Sequence, residues 1–244
     1  MHFRPADFSR VERDGYALAD AIAEGDECAR LAGAIVRYAA EHPLPLIERT
    51  CSDRALRYSV IDGEAIAQSL PEVAAIFEEM RRALATATGR EVLPLADARA
   101  AINVNITSPG GEYRWHYDRN PLTAIVYLNS VEGGAIELHP RYRLFLGRLR
   151  HSKLQRLIDC VLRWRWMRAL AAEPVVISPA GGRVVAMNGL RCLHSVRRVE
   201  RGTRIALVFA YDYAGDETCS TASDLDRYLY TGDAMPQRDP NYVA

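Results

Sequence analysis

The feature of this sequence that most constrains its fold is a hydrophobic period of two that begins near residue 100. In the segment AINVNITS, the apolar residues Ile102, Val104 and Ile106 alternate with polar ones. Successive side chains of a β-strand point to opposite faces, so this segment predicts a strand with one polar face. Further short apolar segments follow, separated by Gly and Pro residues: TAIVYLN, GGAIELHP, PVVISPAGGRVVAMNG, CLHSVRRV and TRIALVFAYDY. Such a series of short strands is typical of a sandwich or jelly roll.

The chain before residue 100 has a helical period instead. Apolar residues recur at helical spacing over residues 16–40 and again over residues 71–88, where Pro71 takes a first-turn position and Gly89 follows as a stop. The spacing predicts one or two helices in the first range and a single helix in the second. We expect these helices to form a support layer outside the β core.

One long segment interrupts the series of strands. Residues 144–172, LFLGRLRHSKLQRLIDCVLRWRWMRALAA, contain few turn signals and predict a helical insertion between core strands. Residues 214–244 are polar and predict a loop-rich tail. We therefore expect a single α+β domain over residues 1–244, with mainly helical support at 1–99 and a mainly β, jelly-roll core at 100–213 that carries the insertion.

Composition narrows the environment and the partners. Lys and Arg number 31 and so do Asp and Glu, so net charge gives no reason to expect nucleic acid or an anionic membrane as a partner, and any such preference has to be local. The five cysteines form no CxxC pair, which disfavours a disulfide framework and a zinc site. The N-terminal segment lacks the apolar core of a signal peptide, and no segment has the run of about 18 apolar residues that predicts a transmembrane helix. These features predict a cytoplasmic protein.

A histidine and an aspartate stand two residues apart at the start of the segment HYDRNPLTAIVYLN. In an extended backbone His116 and Asp118 point to the same face and can converge on one ion. A neutral imidazole and a carboxylate, completed by a distant histidine, form the facial triad of non-haem Fe(II) sites.

The distant histidine has one good candidate, His194, in the strand segment CLHSVRRV. The other histidines lie in loops or outside the predicted inner strands: His2, His42, His139 and His151. A structural role remains the alternative for each candidate ligand, because an isolated HxD pair is common in proteins and a strand histidine is more often part of a core.

The order of these segments resembles a known family. HYDRNPLTAIVYLN, GGAIEL and PAGGRVVAMNGLRCLHSVRRVERGTRIAL are similar, in the same order, to the catalytic core of the prolyl-hydroxylase-like Fe(II)/2-oxoglutarate-dependent dioxygenases. The resemblance covers roughly residues 100–213. It implies a double-stranded β-helix (jelly roll), Fe(II) bound by His116, Asp118 and His194, and 2-oxoglutarate and O₂ as cosubstrates, with ascorbate as a further candidate. It also implies hydroxylation of an unactivated C–H bond with release of succinate and CO₂.

The resemblance further implies where 2-oxoglutarate binds. Arg204, ten residues after His194, would pair with its distal carboxylate, because a planar guanidinium binds a carboxylate through two hydrogen bonds. Tyr127 would donate its hydroxyl to the same carboxylate, and the alternative is that it only fills the barrel. Asn105 and Ser108 are candidates to contact the C1 carboxylate or the substrate, and the alternative is that strand asparagines satisfy one another.

The sequence leaves several classes of substrate possible. A small molecule, such as an amino acid or a biosynthetic intermediate, needs a lid, and a peptide needs an open groove; the long insertion favours the lid. A nucleic-acid demethylase is disfavoured, because such enzymes usually carry a second arginine farther along the last strands, and IALVFAYDYAGDE after Arg204 has none. A non-catalytic jelly-roll binding module is the alternative from a different class, and the complete set of candidate residues argues against it.

The insertion is strongly basic. Asp159 is the one acid within residues 141–170, against nine cations: Arg141, Arg143, Arg148, Arg150, Lys153, Arg156, Arg163, Arg165 and Arg168. One interpretation is a solvated helix whose charge the acidic N-terminal helices balance. The other is a lid or docking helix for an anionic substrate, a carrier or a membrane surface, in which Trp164 and Trp166 close over the mouth. An apolar stripe would then pack on the barrel: Leu154, Leu157, Ile158, Val161 and Leu162.

Overall fold

The computed structural model describes residues 1–23, 26–49, 54–145, 153–215 and 228–231. Its strands are β1 (Tyr16–Asp20), β2 (Leu46–Arg49), β3 (Leu56–Ile61), β4 (Val92–Pro94), β5 (Ile102–Thr107), β6 (Tyr113–His116), β7 (Leu122–Tyr127), β8 (Glu132–Gly133), β9 (Ile136–His139), β10 (Val175–Ile177), β11 (Arg183–Met187), β12 (Leu193–Val196), β13 (Val199–Arg201) and β14 (Arg204–Tyr213). Its α-helices are α1 (Val11–Asp14), α2 (Glu27–Glu41), α3 (Gly63–Ser69), α4 (Pro71–Thr88), α5 (Ala98–Ala101), α6 (Lys153–Arg163), α7 (Arg165–Leu170) and α8 (Tyr228–Thr231), and a 3-10 helix spans Pro5–Phe8.

Two antiparallel sheets enclose the interior of the molecule. The larger sheet has eight strands, in the order β1-β11-β7-β14-β5-β3-β2, with β4 paired to the end of β14. The smaller sheet has four strands, in the order β10-β9-β12-β6, and β13 pairs with β8. Apolar side chains from both sheets pack together between them. This arrangement is the double-stranded β-helix, so the jelly-roll prediction is confirmed.

Alternate side chains of strand β7 pack into two different apolar clusters of the molecule. The strand lies inside the larger sheet and all six of its residues are buried. Leu122, Ala124 and Val126 pack into the apolar cluster that includes the helices, whereas Ile125 and Tyr127 pack into the cluster between the two sheets. One side of this sheet therefore faces the support layer and the other faces the interior where the candidate site lies.

The helical support layer is present, as predicted, and α4 is its longest element. The helix begins at Pro71 and ends before Gly89, whose φ of 66° lies in the left-handed region that favours glycine. Phe77 stacks on Tyr211 of β14, with ring centroids 4.8 Å apart, and its carbonyl accepts a hydrogen bond from the Tyr211 hydroxyl. Each fully buried apolar side chain of the helix contributes roughly 1.5–3 kcal/mol of gross stabilisation. The buried stripe is Val73, Ile76, Phe77, Met80, Ala83 and Leu84.

The region before residue 100 is more than a helical layer, because it supplies β1 to β4 to the larger sheet. In the first range predicted as helix, Glu27–Glu41 is helical, but the prediction is wrong for Tyr16–Asp20, which is β1. This strand pairs with β11 from Tyr16 opposite Met187 to Asp20 opposite Arg183. The few apolar residues of this segment fit either a helical period or the period of two of a strand, and pairing with β11 makes the segment a strand.

The tail departs from its prediction in one place. Residues 228–231 form α8, a single helical turn, where a loop was expected. The rest of the tail after residue 215 lies outside the described residues. Among the described residues, no helix combines the length and the apolar character needed to cross a bilayer.

The insertion contains helices, as predicted, but they pack on the outer face of the smaller sheet. Arg143 donates to Asp159 of α6 at 3.0 Å, and the Arg168 guanidinium of α7 lies 4.7 Å from the ring of Trp115, which projects from β6 on the side opposite His116. No described residue of α6 or α7 lines the interior pocket. The prediction that Trp164 and Trp166 close over the mouth is therefore wrong, and residues 146–152 of the insertion lie outside the described residues.

Candidate active site

Two strands of the smaller sheet bring the candidate histidines together. His116 ends β6, His194 lies in β12, and the two residues are direct partners in the antiparallel register. Their rings are 4.1 Å apart between centroids. Asp118 follows two residues after His116, and its Oδ1 lies 3.5 Å from the Nε2 of each histidine. The ligand atoms of these three residues all lie within 4.8 Å of one another, so the group has the donor set and the spacing of a metal site.

Backbone carbonyls orient both imidazoles. The Nδ1 of His116 donates to the carbonyl of Arg114 at 2.9 Å, and the Nδ1 of His194 donates to the carbonyl of Cys192 at 3.0 Å. A carbonyl oxygen only accepts, so in each neutral ring the proton sits on Nδ1 and the lone pair of Nε2 faces Asp118. Metal-binding histidines are usually held in this way by a second hydrogen bond. Burial and the neighbouring His194 hold the pKa of His116 well below its usual range, which keeps the imidazole neutral.

Asp118 is held by residues that the sequence analysis did not single out. Its Oδ2 accepts a hydrogen bond from the Thr123 hydroxyl at 2.6 Å, and that hydroxyl accepts one from the Asn120 side chain at 2.9 Å. A Cβ on Gly189 would lie 2.7 Å from the Asp118 Cβ, so only glycine fits there. The signal for Thr123 was present in the sequence, since it shares the inner face of β7 with Ile125 and Tyr127. The approach of Gly189 had no local signal.

The candidate cosubstrate residues lie in adjacent rows of the larger sheet. Ala206 of β14 is the register partner of both Asn105 and Tyr127, and Arg204 stands two residues earlier on the same strand. The Arg204 guanidinium carbon lies 5.0 Å from the Tyr127 ring centroid. The Arg204 Nε, the Tyr127 hydroxyl and the Asn105 Oδ1 are buried and have no hydrogen-bond partner within the described residues.

These unpaired atoms are the test of fit for 2-oxoglutarate. A buried polar atom without a partner costs about 1–3 kcal/mol, so a cluster of them is unusual unless a ligand completes it. Arg204 and Tyr127 present donors, which suit a carboxylate. The Asn105 oxygen is an acceptor, but a flip of its amide would present the NH₂ group instead. The residues present fit an anionic ligand at this end of the interior.

Ser108 is not brought to the site. It is exposed just after β5 and does not line the pocket. Asn103 and Thr107, on the same polar face of β5 as Asn105, do line it. His139, set aside in the sequence analysis as lying outside the inner strands, is buried in β9, but it packs against Trp115 on the outer face of the smaller sheet.

Aromatic and apolar side chains line the rest of the pocket. Tyr113 lies against His116 with ring centroids 4.5 Å apart and stacks on Tyr58 at 5.4 Å. The tail returns to this region, because the Tyr58 hydroxyl donates to the carbonyl of Leu229 at 3.0 Å and both Leu229 and Tyr230 line the pocket. The sequence held no signal for this contact, which joins residues more than 170 positions apart.

Sequence and structure comparisons agree with this geometry. Residues 102–212 match the family model described as the 2OG-Fe(II) oxygenase superfamily, and this range contains the His116, Asp118 and His194 group and Arg204. No curated protein sequence matches the chain.

Several solved structures share the fold. SnoK, a non-haem α-ketoglutarate-dependent carbocyclase from nogalamycin biosynthesis, superposes with a TM-score of 0.67 at 16% identity over 98% of this chain and 97% of its own. A prolyl hydroxylase from Trichoplax adhaerens gives 0.63 at 12% identity over 88% and 91%. AviO1 from Streptomyces viridochromogenes gives 0.62 at 20% identity over 88% and 97%.

Fold, donor set and family model together define the class. The chain carries a 2OG-Fe(II) oxygenase domain at residues 102–212, the range that the family model matches, and the donor set of the site lies within it. The cofactor and cosubstrates of this class are Fe(II), 2-oxoglutarate and O₂, and a site with a suitable donor set is present.

Proposed function

We propose that this protein uses O₂ to hydroxylate an unactivated C–H bond of a small molecule, such as an amino acid or a biosynthetic intermediate, while 2-oxoglutarate is oxidised to succinate and CO₂. In this proposal His116, Asp118 and His194 bind the iron, and Arg204 binds the distal carboxylate of 2-oxoglutarate with help from Tyr127. One observation carries the proposal: a three-residue donor group and a set of unpaired buried polar atoms lie in the same interior between the two sheets.

Fe(II), when bound, would supply the oxidising power together with 2-oxoglutarate and O₂, and the chain supplies position and environment. His116, Asp118 and His194 would hold the iron as its three protein ligands. Thr123 holds the Asp118 carboxylate in place, and the Arg204 guanidinium orients the cosubstrate. Apolar residues around the pocket exclude water from the reacting groups: Leu95, Ala96, Ala100, Ile125, Val208 and Leu229.

The preference for a small substrate rests on the walls of the pocket. Residues 95–100 and residues 229–230, which are far apart in the sequence, both line it. Walls from two separate segments suit a compact molecule better than an extended chain. The basic insertion no longer supports a lid or an anionic substrate, because none of its described residues lines the pocket.

A peptidyl or prolyl hydroxylase is the second candidate. It is favoured by the likeness to the Trichoplax adhaerens enzyme, whose structure contains a peptide fragment of hypoxia-inducible factor. The small-molecule proposal is favoured by the likeness to SnoK over nearly the whole of both chains.

The test is a screen for succinate formation that depends on an added compound, with Fe(II) and 2-oxoglutarate present. Free amino acids come first, followed by carrier-bound forms and peptides, and His194→Ala serves as the inactive control. A response to free small molecules supports the proposal. A response to peptides alone replaces it with the peptidyl hydroxylase.

A pair of tyrosine variants tests the substrate wall. Tyr230→Ala should raise KM for the substrate more than it raises the 2-oxoglutarate requirement, because Tyr230 lines the pocket and is not one of the residues proposed to bind the cosubstrate. Tyr38→Ala is the matched control, since Tyr38 is also half-buried but lies on α2 outside the pocket. An equal effect of both variants would contradict the placement of the substrate.

Iron titration separates an enzyme from a non-catalytic binding module. An oxygenase should bind one Fe(II) per chain and lose that binding in His116→Ala. A module that binds neither iron nor 2-oxoglutarate would end the proposal, whatever its ligand.

A further inference from the structure

The two helices of the insertion leave an apolar surface exposed, and the proposed oxygenase activity does not use it. We call it the insertion face. It consists of large apolar side chains with these exposed fractions: Leu154 50%, Leu157 60%, Trp164 49%, Trp166 55% and Leu170 76%. The Trp164 and Trp166 rings are 6.0 Å apart between centroids. Exposed apolar side chains in such number are unusual on a surface without a partner.

The insertion face is exposed because α6 docks through a different side. Among the side chains of α6 that the structure describes, Gln155, Asp159 and Leu162 are buried, and at 100° per residue they lie on one face. Gln155 donates to the carbonyl of Leu144 at 2.8 Å, and Asp159 accepts from Arg143. The predicted apolar stripe is centred about a quarter turn away from this buried face. The prediction that the stripe packs on the barrel is therefore wrong for Leu154 and Leu157, which point to solvent.

The charge on the insertion face has a single sign. Asp159 is the one acidic residue of α6 and α7, and it is buried against Arg143, so it contributes no negative charge to the surface. Lys153 and Arg165 are exposed beside the apolar residues. Two other arginines of the helices are partly buried: Arg163 donates to the carbonyl of Asp159 within α6, and the Arg168 guanidinium lies over the Trp115 ring of β6.

We propose that the insertion face docks on an anionic lipid surface, with α6 and α7 lying in the plane of the interface. Two consecutive helices with exposed Leu and Trp, exposed Lys and Arg near them in the sequence and no exposed acid have the composition of interfacial amphipathic segments. Indole rings suit this depth because they have an apolar body and a polar N–H. The cations complement the negative charge of the headgroups, and this local charge operates in a chain whose net charge is zero. The inference goes beyond the proposed oxygenase activity and stands without it.

The test is co-sedimentation of the full chain, loaded with Fe(II) and 2-oxoglutarate, with vesicles of two compositions. One is pure phosphatidylcholine and the other an equimolar mixture with phosphatidylglycerol. We expect binding to the anionic vesicles only, weakened by about 0.5 M salt, which screens surface charge. Tryptophan fluorescence should shift to the blue on binding, because two of the three tryptophans lie on the insertion face and Trp115 is already buried.

Two double variants separate the apolar and the ionic contributions. Trp164→Ser with Trp166→Ser, and Lys153→Glu with Arg165→Glu, should each weaken binding about tenfold or more, since one cation near an anionic surface alone changes affinity about fivefold. The matched control is Val36→Ser with Arg37→Glu, an exposed apolar and basic pair on α2, which should bind like the parent. Thermal unfolding of each variant checks that the fold is retained.

Three outcomes would overturn the proposal. They are an absence of binding to anionic vesicles, equal binding to both compositions, and an equal loss in the α2 control. A concentration-dependent dimer in the absence of vesicles that the tryptophan variant abolishes would assign the insertion face to a second copy of this chain instead.

Discussion

The two faces of the smaller sheet differ in whether their buried polar groups have hydrogen-bond partners within the protein. On the inner face, His116 and His194 direct their Nε2 atoms toward Asp118 with no hydrogen-bond donor between them. On the outer face, Glu137 of β9 is equally buried, but its carboxylate accepts from Arg54 at 2.5 Å, from Arg197 at 2.8 Å and from Ser195 at 3.3 Å.

Neighbouring residues of one strand thus serve different ends. Ser195 follows His194 directly in β12, and successive side chains of a strand point to opposite faces. Ser195 therefore joins the ion-pair network of Glu137 on the outer face, and His194 points into the interior. A buried polar group with a complete set of protein partners stabilises the fold, whereas one that lacks them is available to a ligand. This difference separates the residues whose loss should affect activity from those whose loss should affect stability.

The largest effect is expected from the inner face. His116→Ala, Asp118→Ala and His194→Ala should each reduce iron-dependent turnover by far more than about a hundredfold, which is the usual upper cost of losing a partner outside the ligand shell. The melting temperature without iron should change little. Iron binding by calorimetry and succinate formation are the measurements, and substantial residual activity in any one variant would remove that residue from the triad.

Arg204→Ala should come next. Loss of a charge-assisted pair with a carboxylate costs a few kcal/mol, so the 2-oxoglutarate concentration for half-maximal turnover should rise by about one to three decades. The KM for the substrate should change much less. An unchanged requirement for 2-oxoglutarate would move the anchor elsewhere, with Arg197 and Arg198 the next residues to substitute.

Thr123→Val tests a residue that acts through Asp118. It removes the hydrogen bond to Oδ2 but keeps a side chain of similar shape, so iron affinity should fall about 10- to 100-fold. Thr123→Ser, which retains the hydroxyl, should restore most of that affinity. Equal iron affinity in the Val and Ser variants would show that the hydrogen bond has no role in metal binding.

Glu137→Ala should act on stability instead. The substitution leaves Arg54 and Arg197 without their carboxylate partner. Because both arginines keep some exposure, we expect the free energy of unfolding to fall by about 2 kcal/mol, less than the 3–5 kcal/mol lost when a fully buried pair is broken. Iron affinity should stay within a factor of about two. Denaturant unfolding and iron titration on the same preparation distinguish the two effects, and a large loss of iron affinity would contradict the division between the faces.

The same carboxylate predicts a dependence on pH. Burial by itself raises the pKa of Glu137, but hydrogen bonds from Arg197 and Arg54 outweigh it and hold the pKa below the ordinary 4.5. Its contribution to stability is therefore complete above pH 4.5 and is lost as the pH falls through the lower, folded-state pKa. Glu137→Gln should show a smaller acid-induced loss of stability than the parent protein in unfolding experiments.

Tyr127→Phe should have the smallest effect. Its hydroxyl is buried and has no hydrogen-bond partner in the part of the chain that the structure describes, so its removal should leave the melting temperature unchanged or slightly higher. If the hydroxyl binds the 2-oxoglutarate carboxylate, affinity for the cosubstrate should fall about two- to tenfold. Unchanged affinity would favour the alternative that Tyr127 only fills the barrel.

Much of the fold was determined by local patterns in the sequence. The helix from Pro71 to Thr88 and the strands after residue 100 were predictable because apolar spacing and Pro and Gly signals act within a few residues. The approach of His116, Asp118 and His194 was predictable for a related reason. A period of two aligns the first pair, and the family resemblance implied the third residue, which the register of β6 and β12 sets opposite the first.

Other features depended on contacts between distant residues. Tyr16–Asp20 became a strand because β11 offered it an open edge, and Leu229 and Tyr230 joined the pocket through Tyr58. The orientation of α6 was decided by Arg143, which drew Asp159 inward and left the apolar side exposed. Periodicity identifies that a helix has an apolar side, but the surface on which the helix docks decides where that side points. A charge that is buried has to be paired, whereas single apolar side chains are often left exposed on a protein surface.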